Sequence, residues 1–307
     1  MNTKTQMHLV LIGLLAFMAS ACATTGAVRD GATPPPHPLL GLKVQVSDLK
    51  VMTPSEVTTA LSEARYLLLG EQHDNPAHHR VQARIVAEQA GADTHVVFEM
   101  LDDPETAERV NRGEDISGDW DKSGWPPFET YAPIFEALKA TGASAQAGNP
   151  CPGTVKSVVR GRLEALDTEE RDRLGLGKTL TEAELKAMHT EMVQAHCGHA
   201  HPGIDGMVDA QRFKDATMAQ ALRDAPARAI LIAGRGHTRG DRGVPRFLAT
   251  KGALSIALLG VEPGKRHAKD YLDRAPGADL LWFTTNVPAV DHCAAFRAHM
   301  KRSAPPK

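Results

Sequence analysis

The chain is poor in aromatic residues, with 5% Phe, Trp and Tyr, and only three tyrosines, Tyr66, Tyr131 and Tyr271. Any chemistry that needs a phenol therefore has three candidates. Cysteine is nearly as scarce. Cys22, Cys151, Cys197 and Cys293 lie far apart, which excludes a CxxC-type metal site. There is no excess of charge of either sign, with 35 basic against 37 acidic residues. That balance argues against non-specific nucleic-acid binding. No apolar run after residue 22 is long enough to span a bilayer. No internal repeat is evident, so a solenoid or propeller is excluded.

The amino-terminal stretch has the layout of an export signal. Met1 to His8 is polar with Lys4, Leu9 to Met18 is apolar, and Ala19-Ser20-Ala21 are small before Cys22. This is the n-, h- and c-region order of a secretory leader. A cysteine after small residues resembles a bacterial lipoprotein cleavage site, with Ala19 where leucine is commoner. The expectation is a leader over 1–21 and a lipidated Cys22. Ala23 and Thr24 lack the acidic retention signal of inner-membrane lipoproteins, which points to the outer membrane, facing the periplasm or the surface. Residues 22–42 read as a tether stiffened by Pro34-Pro35-Pro36 and Pro38. Export permits a disulfide. Cys197 with Cys293 is the preferred pair, and Cys151 between two prolines is left over.

From there the chain alternates short apolar runs with helical periods. Tyr66–Leu69, His95–Glu99, Ala143–Ala147, Arg228–Ala233, Leu254–Leu259 and Leu280–Phe283 read as strands. Ala77–Gln89, Pro104–Arg112 and Tyr131–Lys139 read as helices between them. This alternation predicts an α/β fold, a mostly parallel sheet flanked by helices. The stretch 151–224 shows helical periods only, including a Thr181/Glu184 capping box. It reads as an α-helical insertion, a lid, within a domain made of 43–150 and 225–290.

In a parallel sheet, all strand ends of one kind lie along one edge. Glu71 and His73 follow the first strand, Glu99 ends the second, and His237 follows the fourth. Two carboxylates and two histidines thus come from three strands to one crevice, where open α/β sheets hold ligands. Asn75-Pro76 then opens a helix, as N-cap and first helical residue. Glu71, His73, Glu99 and His237 are candidate ligands for Zn, Mn, Fe or Co. Such a metal would activate water, making the four residues the catalytic set of a metal-dependent hydrolase. Without a metal, a carboxylate–histidine pair serves as general base. A larger cofactor is the third option, with Arg235, Arg239 and Arg242 for its anionic groups. Gly234-x-Gly236 looks like a dinucleotide turn, but the third glycine is misplaced at Gly240 and no acidic residue ends a following strand about twenty residues on.

Several stretches together resemble the ChaN family. They are Gly70-Glu71-Gln72-His73-Asp74, Phe98-Glu99-Met100, Trp125-Pro126-Pro127-Phe128-Glu129-Thr130-Tyr131, Asp209-Ala210-Gln211-Arg212 with Lys214-Asp215, and Gly234-Arg235-Gly236-His237-Thr238-Arg239 with Gly243-Val244-Pro245. Lys214 stands where an arginine is expected. The paired Gly-x-x-His motifs also resemble the wider Tiki and TraB superfamily, which includes metal-dependent proteases. Erythromycin esterases have a similar core. The resemblance implies a haem-binding lipoprotein of bacterial iron uptake. It implies haem in the cleft of a homodimer, iron held by a protein side chain, and an outer-membrane haem receptor as partner. Tyrosinate is one type of haem ligand. Tyr131, in the family-like stretch, is its first candidate, with a packed aromatic as the alternative. Tyr66 reads as core. His78, Arg235 and Arg239 complete the cofactor-binding set. His189, His196, His199 and His201 crowd the end of one helix, either as a loading site or as ordinary cations at a helix terminus.

Overall fold

The computed structural model describes residues 36–199, 202–248, 252–288 and 293–294. The leader, Cys22, most of the tether and His201 lie outside the described residues.

The elements run in the order β1 (Lys43–Gln45), α1 (Pro54–Glu63), β2 (Tyr66–Glu71), α2 (Pro76–Gln89), β3 (Thr94–Phe98), α3 (Pro104–Asn111), α4 (Ser117–Trp120), α5 (Phe128–Thr141), β4 (Ser144–Ala147), α6 (Pro152–Gly161), α7 (Thr168–Leu174), α8 (Glu182–Ala195), α9 (Ile204–Arg223), β5 (Arg228–Gly234), α10 (Arg235–Thr238), β6 (Ala253–Gly260) and β7 (Leu280–Thr284). The strands form one sheet in the order β1-β7-β6-β2-β5-β3-β4. Every pairing is parallel except β1 on β7. The expected α/β class and largely parallel sheet are present. The antiparallel edge strand β1 was not expected, because three residues are too few to display a period of two.

The sheet is covered on both faces, which is why β2 reads as an unbroken apolar run. Leu67 and Leu69 pack with Leu61, Ile85, Val86 and Ile134, from α1, α2 and α5. Leu68, one residue out of phase, packs on the other face with Met218, Ala219 and Leu222 of α9. All three leucines are fully buried. At about 1.5–3 kcal/mol per buried side chain, this run anchors the centre of the fold.

The stretch from α6 to α9 builds a smaller core from Val158, Leu166, Leu174, Phe213 and Ala216. Its helix α9 then continues onto the sheet through Met218 and Leu222. Gly206 lets α6 cross closely, since a Cβ there would stand 1.9 Å from the Val159 carbonyl oxygen. Cys197 and Cys293 form a disulfide, the expected pair, and Cys151 is free and exposed. Among the described residues, no helix is long and apolar enough to cross a membrane.

Candidate functional site

β2 and β5 lie side by side in register, with Glu71 opposite Gly234. The chain leaves β2 in a tight turn closed by Asn75 N–H donating to the Gln72 carbonyl. Asn75 caps α2 by accepting the Ala77 N–H at 3.0 Å, and Pro76 follows at the first helical position. This turn sets Glu71 and His73 above the carboxyl edge. β3 delivers Glu99, which joins β5 through its N–H on the Ile232 carbonyl. The short helix α10 places His237 over the same edge.

The structure brings all four residues together. His73 Nδ1 donates to Glu71 Oε1 at 2.8 Å, and His73 Nε2 lies 3.7 Å from Glu99 Oε2. His237 Nε2 is 3.2 Å from Glu99 Oε1, and Glu99 Oε2 accepts the Gly234 N–H at 2.7 Å. Glu71, Glu99 and His237 are buried. The His73 side chain keeps 33% of its surface exposed and meets the Trp125 ring edge-on at 4.9 Å.

Further residues complete the network: His79, one of the two histidines that open α2 and could face the crevice, and Asp215 and Gln211, which stood in a family-like stretch without a role of their own. Asp215 accepts from His237 Nδ1 at 2.6 Å, and Gln211 Nε2 lies 3.0 Å from the same nitrogen. Both occupy the α9 stripe Val208, Gln211, Asp215, Met218, Leu222, whose apolar members are buried. Polar residues at core positions of an amphipathic helix were the available signal. His79 Nε2 stands 3.4 Å from Glu71 Oε2, with its ring stacked on Tyr131.

Charge pairing decides how these groups titrate. Burial raises both glutamates, but the hydrogen bond from His73 and the His79 imidazole beside it hold Glu71 far below the carboxylate range. His237 and His73 likewise bring Glu99 to about 2. Burial lowers the imidazoles, yet Glu99 and Asp215 push His237 to about 10. Glu71 and Glu99 also raise His73. Burial raises Asp215 above its ordinary value. At neutral pH Glu71 and Glu99 are therefore carboxylates, and His237 is an imidazolium held between Glu99 and Asp215.

Such mutual pairing leaves little for a divalent ion. Among the described residues, no group of three or more His, Cys, Asp or Glu side chains could hold a metal. The four residues are each other's partners, so the divalent-metal alternative gains no support from the geometry.

Two candidates for the cofactor face the wrong way. Tyr131 is fully buried, and its hydroxyl donates to Glu71 Oε1 at 2.5 Å. It shares the inner stripe of α5 with Ile134 and Leu138, all three buried. His78 is also fully buried, with Nδ1 accepting the Gln72 N–H at 2.9 Å. Burial and the Arg235 charge lower its pKa to about 3. Neither presents a free atom to the crevice. Arg239 is engaged as well, with Asp241 and, at 2.8 Å, Glu191 on α8. Arg242 pairs with the same Glu191. Arg235 differs. Its Nη1 donates to the Leu258 carbonyl at 3.1 Å, and among the described residues no carboxylate lies within 4.0 Å of it. Burial and neighbouring Arg274 lower its pKa to about 10.

A family model described as haem-binding uptake, Tiki superfamily, ChaN, matches residues 57–248. Among solved structures, the fold is similar to ChaN of Campylobacter jejuni, a structure concerned with cofacial haem binding. The identity is 18% and the TM-score 0.55, covering 78% of this chain and 95% of that one. The type III effector HopBA1 is similar at 12% identity and a TM-score of 0.44, covering 76% and 93%. Erythromycin esterase EreC in its open conformation is similar at 11% and 0.38, covering 80% and 82%. No curated protein sequence matches the chain.

Proposed function

The chain belongs to the ChaN family of the Tiki superfamily, and from that membership we propose that it binds haem in haem-iron uptake. The family match carries the reading, because it takes in Glu71, His73, Glu99, Trp125, Asp215 and His237. The crevice at the carboxyl edge of the sheet is the proposed place. Three features there fit haem. His73 is an imidazole with 33% of its side-chain surface exposed. Trp125 beside it offers an aromatic wall. Among the described residues Arg235 has no carboxylate within 4.0 Å, which suits it to a haem carboxylate. Bound haem supplies an iron centre that accepts an axial side-chain ligand.

The rest of the proposal concerns placement. Cys22 is the lipidation site, the outer membrane is the anchor, and the domain faces the periplasm or the surface. A homodimer is the working form, and an outer-membrane haem receptor is the exchange partner. These rest on the amino-terminal pattern of the sequence and on family membership.

Titration of the full chain, in detergent, with haemin tests the reading. A saturable Soret change near one haem per chain is expected. A Soret spectrum that grows without saturation, as with non-specific haem, would reject haem binding for this protein.

A further inference from the structure

The helical insertion holds a cavity of about 610 Å³, walled by α7, the loop that follows it and α9. Its walls include none of Glu71, His73, Glu99 and His237. We propose that this cavity binds a small phosphorylated molecule, with Arg171, Lys178 and Arg212 around the phosphate. α9 serves the two places from different faces. Gln211 and Asp215 reach His237, whereas Asp209 and Arg212 line the cavity. Asp209 is buried, and accepts from Arg162 Nε at 2.6 Å and from Arg212 Nη1 at 3.5 Å. One carboxylate thus serves two guanidinium groups. The closer bond raises the Arg162 pKa, while burial lowers that of Arg212. Arg212 keeps only 12% of its side-chain surface exposed. Its Nη2 donates to the Lys178 carbonyl at 2.6 Å, and its Nε is buried with no hydrogen-bond partner among the described residues. A buried cation that shares its counter-charge is costly unless another anion joins it.

The rest of the wall supplies free charge. Arg171 donates to the Thr168 hydroxyl at 3.2 Å, and neither it nor Lys178 forms an ion pair among the described residues. Two unpaired cations beside a third that shares its carboxylate suit a dianion. A phosphate monoester approaches that charge at neutral pH, and a carboxylate does not. Arginine's planar fork and lysine's point charge are both phosphate-binding groups. Glu164 and Asp172 also line the cavity without an ion pair among the described residues. They would accept hydroxyl groups on the body of the molecule. Small-molecule sites span roughly 300–1,000 Å³, so the cavity admits such a body as well as the phosphate. Arg162 adds a sign that the place is built. It follows α6 at φ 60° and ψ −165°, where the positive φ favours glycine. Backbone strain of this kind persists where contacts over-determine it, and here the contact is the bond to Asp209.

The test is calorimetric titration of the full chain, in detergent, with D-glucose 6-phosphate. Glucose and gluconate serve as the uncharged and carboxylate counterparts. The wild type should bind the phosphate ester saturably at one site per chain, and both counterparts at least about tenfold more weakly. Arg171→Gln and Lys178→Gln should each weaken binding of the phosphate ester by about tenfold. Arg173→Gln should match the wild type, because Arg173 lies on the same helix outside the cavity wall and pairs with Glu170. Far-UV circular dichroism checks that each variant is folded. Absence of saturable binding of glucose 6-phosphate by the wild type would overturn the proposal. So would gluconate or glucose binding as tightly, or unchanged affinity in both cavity variants. An equal loss in Arg173→Gln would overturn it in favour of a diffuse charge effect. Haem takes no part in these titrations, so their failure leaves the haem-binding reading untouched, and the reverse holds.

Discussion

Tyr131 and Glu71 lie 60 residues apart in sequence, yet the phenol donates to the carboxylate at 2.5 Å inside the α2–α5 interface. The same oxygen, Oε1, accepts from His73. Burial and the negative charge of Glu71 raise the Tyr131 pKa, so the proton stays on the phenol. Tyr131→Phe removes a hydrogen bond to a buried charge without opening a cavity. The expected loss is about 1.5–3 kcal/mol of unfolding free energy, measured in urea. A loss under about 0.5 kcal/mol would mean that water replaces the hydroxyl at no cost.

The Asp215–His237–Glu99 chain predicts a pH dependence. His237 is raised from 6.5 to about 10, by Glu99 and Asp215 against burial. Its contribution is complete below 6.5 and is lost as pH climbs to about 10. Glu99 is lowered from 4.5 to about 2, by His237 and His73 against burial. Its contribution is complete above 4.5 and is lost as pH falls to about 2. Asp215, raised by its burial, offsets part of this on the acid side. Stability should therefore peak between 4.5 and 6.5 and decline on both sides. His237→Gln should cost about 3–5 kcal/mol in that window, because two buried carboxylates lose their counter-charge. It should also flatten the alkaline limb. Urea unfolding across pH gives both readings.

These two networks mark how far the residues could be read without coordinates. The strand ends carrying Glu71, Glu99 and His237 were legible because parallel strands put their carboxyl ends on one edge. Asp215 and Gln211 were quoted within a motif but not assigned, since a helix shows which face is buried, not what that face meets. Tyr131 carried two readings, haem ligand and packed aromatic, and the structure buries it. Its spacing to Ile134 and Leu138 already placed it on the inner stripe of α5, but a scarce tyrosine in a family-like stretch drew attention to ligation. Arg239 and Arg242 looked like anion binders because nothing local revealed that Glu191, some fifty residues earlier, reaches both.

That Glu191 bridge yields a third expectation. It joins α8 to the turn after β5 through two half-buried guanidinium groups. Glu191→Ala leaves Arg239 with Asp241 and strips Arg242 of its carboxylate partner. A loss of about 1–3 kcal/mol is expected, concentrated in α8 and its flanks. Hydrogen exchange should show faster opening of α8 with β2 and β5 unchanged. Uniform acceleration across the sheet would show that the bridge supports the whole fold instead.

The Cys197–Cys293 disulfide closes a loop spanning 96 positions. Loop-closure entropy for such a span gives about 2–4 kcal/mol of stabilisation in practice. Reduction, or Cys197→Ser, should lower the unfolding free energy by that amount, read from urea unfolding. The protein should still fold, because β2, β5 and α9 pack without the bridge. Failure to fold at all on reduction would place the carboxyl-terminal segment in the core.

Two glycines separate backbone crowding from side-chain crowding. At Gly206 an added Cβ would meet the Val159 carbonyl oxygen at 1.9 Å, so α6 and α9 would have to part. At Gly234 the added Cβ would meet His73 Nε2 at 2.8 Å, the end of a side chain with room to swing outward. Overpacking typically costs about 1–3 kcal/mol, and only backbone contacts force the upper end. Gly206→Ala should therefore be the more destabilising of the two in urea unfolding. Gly234→Ala should cost less, because the imidazole moves, but the move breaks the His73–Glu71 bond. NMR titration of His73 should then show its pKa falling back toward the ordinary 6.5, since that bond helps hold it up. An unchanged His73 titration in Gly234→Ala would mean that the strand shifts while the ring stays in place.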